Sequence, residues 1–116
     1  MWKIYYCPPS GENKSPYEDI INFGNPLAAK VFYQLELNVV YDSTNEWVGS
    51  VKQITYRKEK WLQWTWNQVR IHFILFHNAN KIVILNAFLK KSDKTKTINL
   101  KRTYNNLKKL DRYDLD

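Results

Sequence analysis

The chemistry this chain could perform rests on Arg57, Arg70, His72 and Lys90. Side chains in a strand alternate between two faces. In the run from Val69 to Phe76, Val69, Ile71, Phe73 and Leu75 are apolar and suit a face covered by helices. Arg70 and His72 then share the other face. In the run from Lys81 to Leu89, Val83, Leu85, Ala87 and Leu89 suit the covered side, with Asn86, Phe88 and Lys90 opposite. In an earlier strand, Ile54 and Tyr56 face in, and Thr55 and Arg57 face out. Three cations, an amide and a histidine thus share an uncovered sheet face, a cradle suited to RNA phosphates. Guanidinium forks match phosphate oxygens, and histidine titrates near neutral pH. Each assignment has a plainer competitor. Arg57 and Arg70 also fit as solvated sheet-face residues, and His72 fits packing or substrate contact better than general base.

A second basic cluster follows. Lys90 and Lys91 close the last strand, and a polar turn carries Lys94. Leu100, Tyr104 and Leu107 then fall three to four apart, the spacing of one helix face. A strand therefore delivers lysines to one sheet edge, and a basic helix leaves from there. Lys91 has the wrong parity for the open face unless the turn redirects it. Tyr104 belongs to the helix stripe and reads as core. His77 sits in a turn and reads as solvated. Asp111, Asp114 and Asp116 form an acidic end and not a metal site.

These residues need elements to hold them. Trp2 to Tyr6 reads as a first strand, ended by Pro8-Pro9. Ser15-Pro16-Tyr17-Glu18 is a helix start, with Ser at the cap, Pro at the first position and Glu at the third. Phe23-Gly24 stops that helix, and Asn25-Pro26 opens a second, running to about Tyr41. Leu27, Val31, Leu35 and Val39 make its core stripe. Together the two helices predict a hairpin over one sheet face. Three strands follow, at about Lys52 to Lys58, Trp64 to Phe76 and Lys81 to Leu89. Short connections make them an antiparallel meander. The prediction is a two-layer α+β domain spanning residues 1–116, with helices on one face of an antiparallel sheet and a C-terminal helix.

Composition bounds the function. The chain has 116 residues, a net charge of +7 and 16% aromatic content. That fits one folded domain with a polyanionic partner, such as RNA, DNA or an acidic protein. From Lys90 onward, seven lysines and two arginines face four aspartates, so +5 of the excess lies in the last quarter. A single cysteine, Cys7, excludes an internal disulfide and a cysteine metal cluster, and fits a reducing cytoplasm. No run approaches the ~20 apolar residues of a membrane helix, and the N-terminus lacks an export core. The sequence predicts no cofactor. It has no Gly-rich phosphate loop, HExxH or Gly-x-Ser-x-Gly motif, and no helix-turn-helix.

The segment from Phe88 to Arg102 resembles the closing segment of the RelE/HigB-like toxins of type II toxin–antitoxin pairs, in their phage-derived branch. Phe88, Lys90, Lys91, Lys94, Thr95 and Arg102 carry the resemblance. Lys96, Asn99 and Thr103 depart from it, standing where the family usually has Pro, Glu and Ala. Arg57 and Arg70 match arginines of the family's first two meander strands, while Thr55 replaces its Glu. The resemblance implies a RelE-like fold and a cytoplasmic mRNA endonuclease acting on the ribosome without metal. The 2′-hydroxyl would attack the adjacent phosphate. Arg70, Lys90, Arg57 and His72 would be catalytic, and Lys91, Lys94, Arg102, Phe88 and Asn86 would hold RNA. The partner would be a helix-turn-helix antitoxin. Two other classes stay open: an RNA- or ribosome-binding module without catalysis, and a phage-encoded binder of a host protein.

Overall fold

A computed structural model describes residues 2–40, 47–90 and 96–113. The chain forms β1 (Lys3–Tyr6), α1 (Pro16–Ile21), α2 (Leu27–Val40), β2 (Ser50–Tyr56), β3 (Glu59–Trp66), β4 (Val69–Phe76), β5 (Lys81–Leu89) and α3 (Lys96–Lys108). The fold is α+β, with five strands and three helices among the described residues. Ser15 caps α1 as its sequence predicts, accepting from the Tyr17 N–H at 3.2 Å, with Pro16 at the first turn. The α2 stripe also holds, with Val31 and Leu35 fully buried. The helical hairpin expected from the sequence is not shown as such: α1 has six residues and α2 fourteen, and both pack on one sheet face.

The expected strand from Trp64 to Phe76 is two strands. Asn67-Gln68 turns the chain, and Asn67 takes the left-handed conformation that Asn tolerates (φ +54). The sequence carried a signal for this break. The apolar positions run Leu62, Trp64, Trp66 and then shift parity to Val69, Ile71, Phe73. The β2–β3 turn places Arg57 and Lys58 at positive φ (50° and 68°), as a two-residue type I′ hairpin requires. Gly49 leads into β2 at φ +85, where an added Cβ would collide with the Thr65 carbonyl oxygen.

The sheet order is β1-β5-β4-β3-β2. Strands β2 to β5 pair antiparallel in sequence. β1 joins β5 in parallel, Lys3 opposite Lys81, so the sheet is mixed and not purely antiparallel.

The helices also lie on both faces, not one. Val31 and Leu35 of α2 and Ile20 of α1 pack with Trp64, Ile71, Phe73, Ile82 and Ile84. On the opposite face, Leu100, Tyr104 and Leu107 of α3 pack with Cys7, Trp61, Val83 and Leu85. Two parity errors hid this second core. A register shift between His72 and Phe73 pairs His72 with Asn86 but Phe73 with Ile84. Leu85 is the extra residue, so Val83 and Leu85 point toward α3 and Ile82 and Ile84 take the other side. Ile54 and Tyr56 likewise pack in the α3 cluster, not beneath α1 and α2. The apolar stripe of α3 needed such a surface, and Ile54, Tyr56, Trp61, Val83 and Leu85 provide it. The face expected to be open is therefore partly roofed by α3.

Candidate nucleic-acid interface

What α3 leaves uncovered is a groove of about 560 Å³ over β2, β3, β4 and the end of β5. Three cations line it: Lys52 from β2, Arg70 from β4 and Lys90 just past β5. Ser50, Gln63 and Thr65 and the ring of Phe88 complete the walls, with Leu100 of α3 at the rim.

Arg70 is half-buried, and its guanidinium Nη1 donates to the carbonyls of Asn67 at 2.7 Å and Val69 at 2.9 Å. The β3–β4 turn thus fixes the arginine from behind. Burial lowers its pKa, yet a guanidinium stays charged in proteins. Lys90 is exposed, and its backbone N–H donates to the Gln68 carbonyl at 2.8 Å, which anchors the strand end to the same turn. Phe88 sits opposite Arg70 across the β4–β5 ladder. Its ring meets His72 edge-on at 5.2 Å.

Several sequence-derived assignments fail here. His72 is 1% exposed. Its Nδ1 lies 2.6 Å from the Thr103 hydroxyl and its Nε2 2.8 Å from Gln63 Oε1. Burial, with a smaller contribution from the Lys52 charge, pushes its pKa down to about 3. His72 is therefore neutral at physiological pH with both nitrogens engaged, and it is not an available base. Asn86 is fully buried. Its Nδ2 donates to the Asn99 carbonyl at 3.2 Å, and its Oδ1 accepts from the Ala87 N–H at 2.9 Å. It ties α3 to β5 and does not line the groove. Arg102 forms an ion pair with Asp19 at 2.6 Å and donates to the Lys14 carbonyl at 3.1 Å. It latches α3 to the α1 region, away from the groove lining. Arg57 is a turn residue, not a strand residue. Its guanidinium lies over the Tyr56 and Tyr104 rings, at 5.2 and 5.5 Å, outside the groove lining. Lys91, Lys94 and Thr95 lie outside the described residues.

Sequence reasoning missed Lys52, Gln63 and Thr65. Lys52 has the parity of Ile54 and Tyr56, so assigning those two to the wrong face concealed it. Gln63 and Thr65 alternate with Leu62, Trp64 and Trp66. That period-two pattern was legible once β3 was recognised as a strand.

The arrangement can hold an anionic strand. Cations sit at the walls, hydroxyl and amide donors on the floor, and a ring stands ready to stack. Among the described residues, no group of three or more His, Cys, Asp or Glu gathers as metal ligands, and no helix is long and apolar enough to cross a membrane. No protein-family model, curated protein or solved structure matches the chain.

Proposed function

We propose that the groove binds the sugar–phosphate backbone of single-stranded RNA. We also propose that the chain acts there as the toxin of a type II toxin–antitoxin pair, an mRNA endonuclease working on the ribosome. The observation that carries the binding is the convergence of Lys52, Arg70 and Lys90 on one groove beside Phe88. Cleavage and the RelE-like assignment rest on the resemblance from Phe88 to Arg102. The order strand, two helices, meander, helix supports the assignment. In this chemistry the 2′-oxygen bonds to phosphorus and the bond to the 5′-oxygen breaks. A base takes the 2′ proton, an acid supplies one to the leaving oxygen, and no metal or cofactor takes part. Arg70 and Lys90 would offset the charge that develops on the phosphate, and a lysine would handle the protons. An antitoxin with an acidic segment would cover the same groove, and salt would weaken that complex.

Binding without cutting is the second reading, and one observation favours it. His72, the histidine beside the groove, is neutral and tied at both nitrogens. Inducing the chain in a bacterium, with primer extension on mRNA, separates the two. Growth arrest with defined cut sites is expected of the nuclease. RNA binding with intact message selects the second reading. No salt-dependent affinity for a single-stranded oligoribonucleotide would sink both.

A further inference from the structure

A line of hydrogen-bonding groups runs from α3 across the sheet face to the groove floor. Thr103 meets His72, His72 meets Gln63, and the Gln63 amide donates to the Thr65 hydroxyl at 3.2 Å. Thr65 lines the groove. The line can be protonated in two directions, and the direction decides what Thr65 offers a ligand.

A threonine hydroxyl has a single proton. That of Thr103 can go to His72 Nδ1, 2.6 Å away, or to the Asn99 carbonyl at 3.0 Å. The carbonyl is already supplied. It accepts the Asn86 side chain at 3.2 Å, and the helical pattern brings it the Thr103 N–H. Two lone pairs are then used. The shorter contact leads to a ring nitrogen with no other partner among the described residues. The Thr103 proton therefore belongs on His72 Nδ1, and neutral His72 carries its own proton on Nε2. Nε2–H donates to Gln63 Oε1, and Gln63 Nε2–H donates to Thr65 Oγ1. Each bond in such a chain polarises the next. Among the described residues no acceptor takes the Thr65 proton, which is left to point into a groove walled by Lys52, Arg70 and Lys90.

We propose that Thr65 is an oxyanion-binding residue of the groove. Its hydroxyl donates to a phosphate oxygen of the bound strand, and His72 is the positioning residue that aims it through Gln63. The identity of the strand rests on the RNA reading above; the orientation of the relay does not. His72 thus sits next to the ligand site, yet its role is to hold a proton on Nε2 and not to exchange one. The same relay couples the seat of α3 to the groove floor, because Thr103 belongs to the helix.

The ¹⁵N-labelled full-length protein tests the orientation at neutral pH, through long-range ¹H–¹⁵N correlations of His72. The Nε2–H tautomer is expected, and an Nδ1–H tautomer would overturn the relay. The binding role is tested with a short single-stranded oligoribonucleotide and, separately, with inorganic pyrophosphate. Thr65→Val keeps the shape and removes the hydroxyl, and it should weaken both ligands about tenfold or more, the range for a hydrogen bond to a charged group. Thr65→Ser should restore most of the affinity. Equal affinity of Thr65→Val and the natural chain for both ligands would refute the role of Thr65. If pyrophosphate binds in a Thr65-dependent way and RNA does not bind, the anion site stands and the RNA reading falls. If neither ligand binds the natural chain, both fall.

Discussion

Under α1 and α2 the sheet buries Trp64, Ile71, Phe73, Ile82 and Ile84, an almost wholly apolar set. Between the sheet and α3 lie the buried polar residues His72, Asn86, Thr103 and Asn106, each with a partner. Asn106 donates to the Leu85 carbonyl at 2.8 Å, and Cys7 Sγ donates to the Asn106 carbonyl at 3.3 Å. The first face is held by area removed from water, which tolerates small shifts. The second is held by directional bonds, which fix one seat for the helix and leave penalties if it moves. The groove lies beside the second face. A binding floor needs fixed donors, and a polar network supplies them where an apolar core cannot.

The largest expected effect breaks the apolar side. Phe73 is fully buried and stacks on Trp47 at 4.9 Å. Phe73→Ala should cost about 3–5 kcal/mol. Asn86→Ala, on the α3 face, should cost about 1–3 kcal/mol, because the Ala87 N–H and the α3 carbonyl lose a buried partner. Urea denaturation of both variants checks the ordering. If Asn86→Ala proved the more damaging, the polar face and not the apolar one would dominate stability.

How much of this contrast the sequence disclosed follows from the same physics. The apolar side was legible, because Val69, Ile71, Phe73 and Leu75 alternate and Leu27, Val31, Leu35 and Val39 recur every four residues. Arg70, Phe88 and Lys90, read as sharing one sheet face, line the groove together. The α3 side was legible only in part: the stripe of Leu100, Tyr104 and Leu107 was read, but the sheet surface beneath it was not. Its polar residues resemble solvent-facing ones, and only the contact with α3 shows His72 and Asn86 to be interior. The extra residue at Leu85 reversed the parity of Val83, and no local composition marks such a bulge. Arg102 was assigned to RNA by the resemblance alone, and its ion pair with Asp19 could not be read locally because 83 residues separate the two.

Acid should separate the two faces next. His72 has a folded pKa of about 3 against an ordinary value of 6.5. The unfolded chain therefore takes up this proton first. The contribution is fully present above pH ~6.5 and is lost as pH falls from there toward the folded value. Its slope reaches about 1.4 kcal/mol per pH unit. His72→Asn should lower stability at neutral pH and show a shallower decline between pH 6.5 and 4. The difference between the two urea-derived stability profiles isolates His72 from the carboxylates. Parallel profiles would mean that His72 is not held neutral by the α3 face.

The smallest effect on stability belongs to Lys52, at the groove wall on edge strand β2. It is exposed, so Lys52→Ala should change stability within roughly ±0.5 kcal/mol. RNA affinity should fall at every sequence alike, and the slope of log affinity against log salt should drop by about one, as for one lost phosphate contact. The same substitution reaches the buried network. Lys52 is a positive charge that holds the His72 pKa down, so its removal should move the acid transition of His72 upward in pH. NMR titration of the His72 ring reads that shift without RNA present. A changed salt slope with an unmoved His72 would place Lys52 on the ligand but not in the field of the relay. An upward shift with an unchanged slope would leave the phosphates to Arg70 and Lys90.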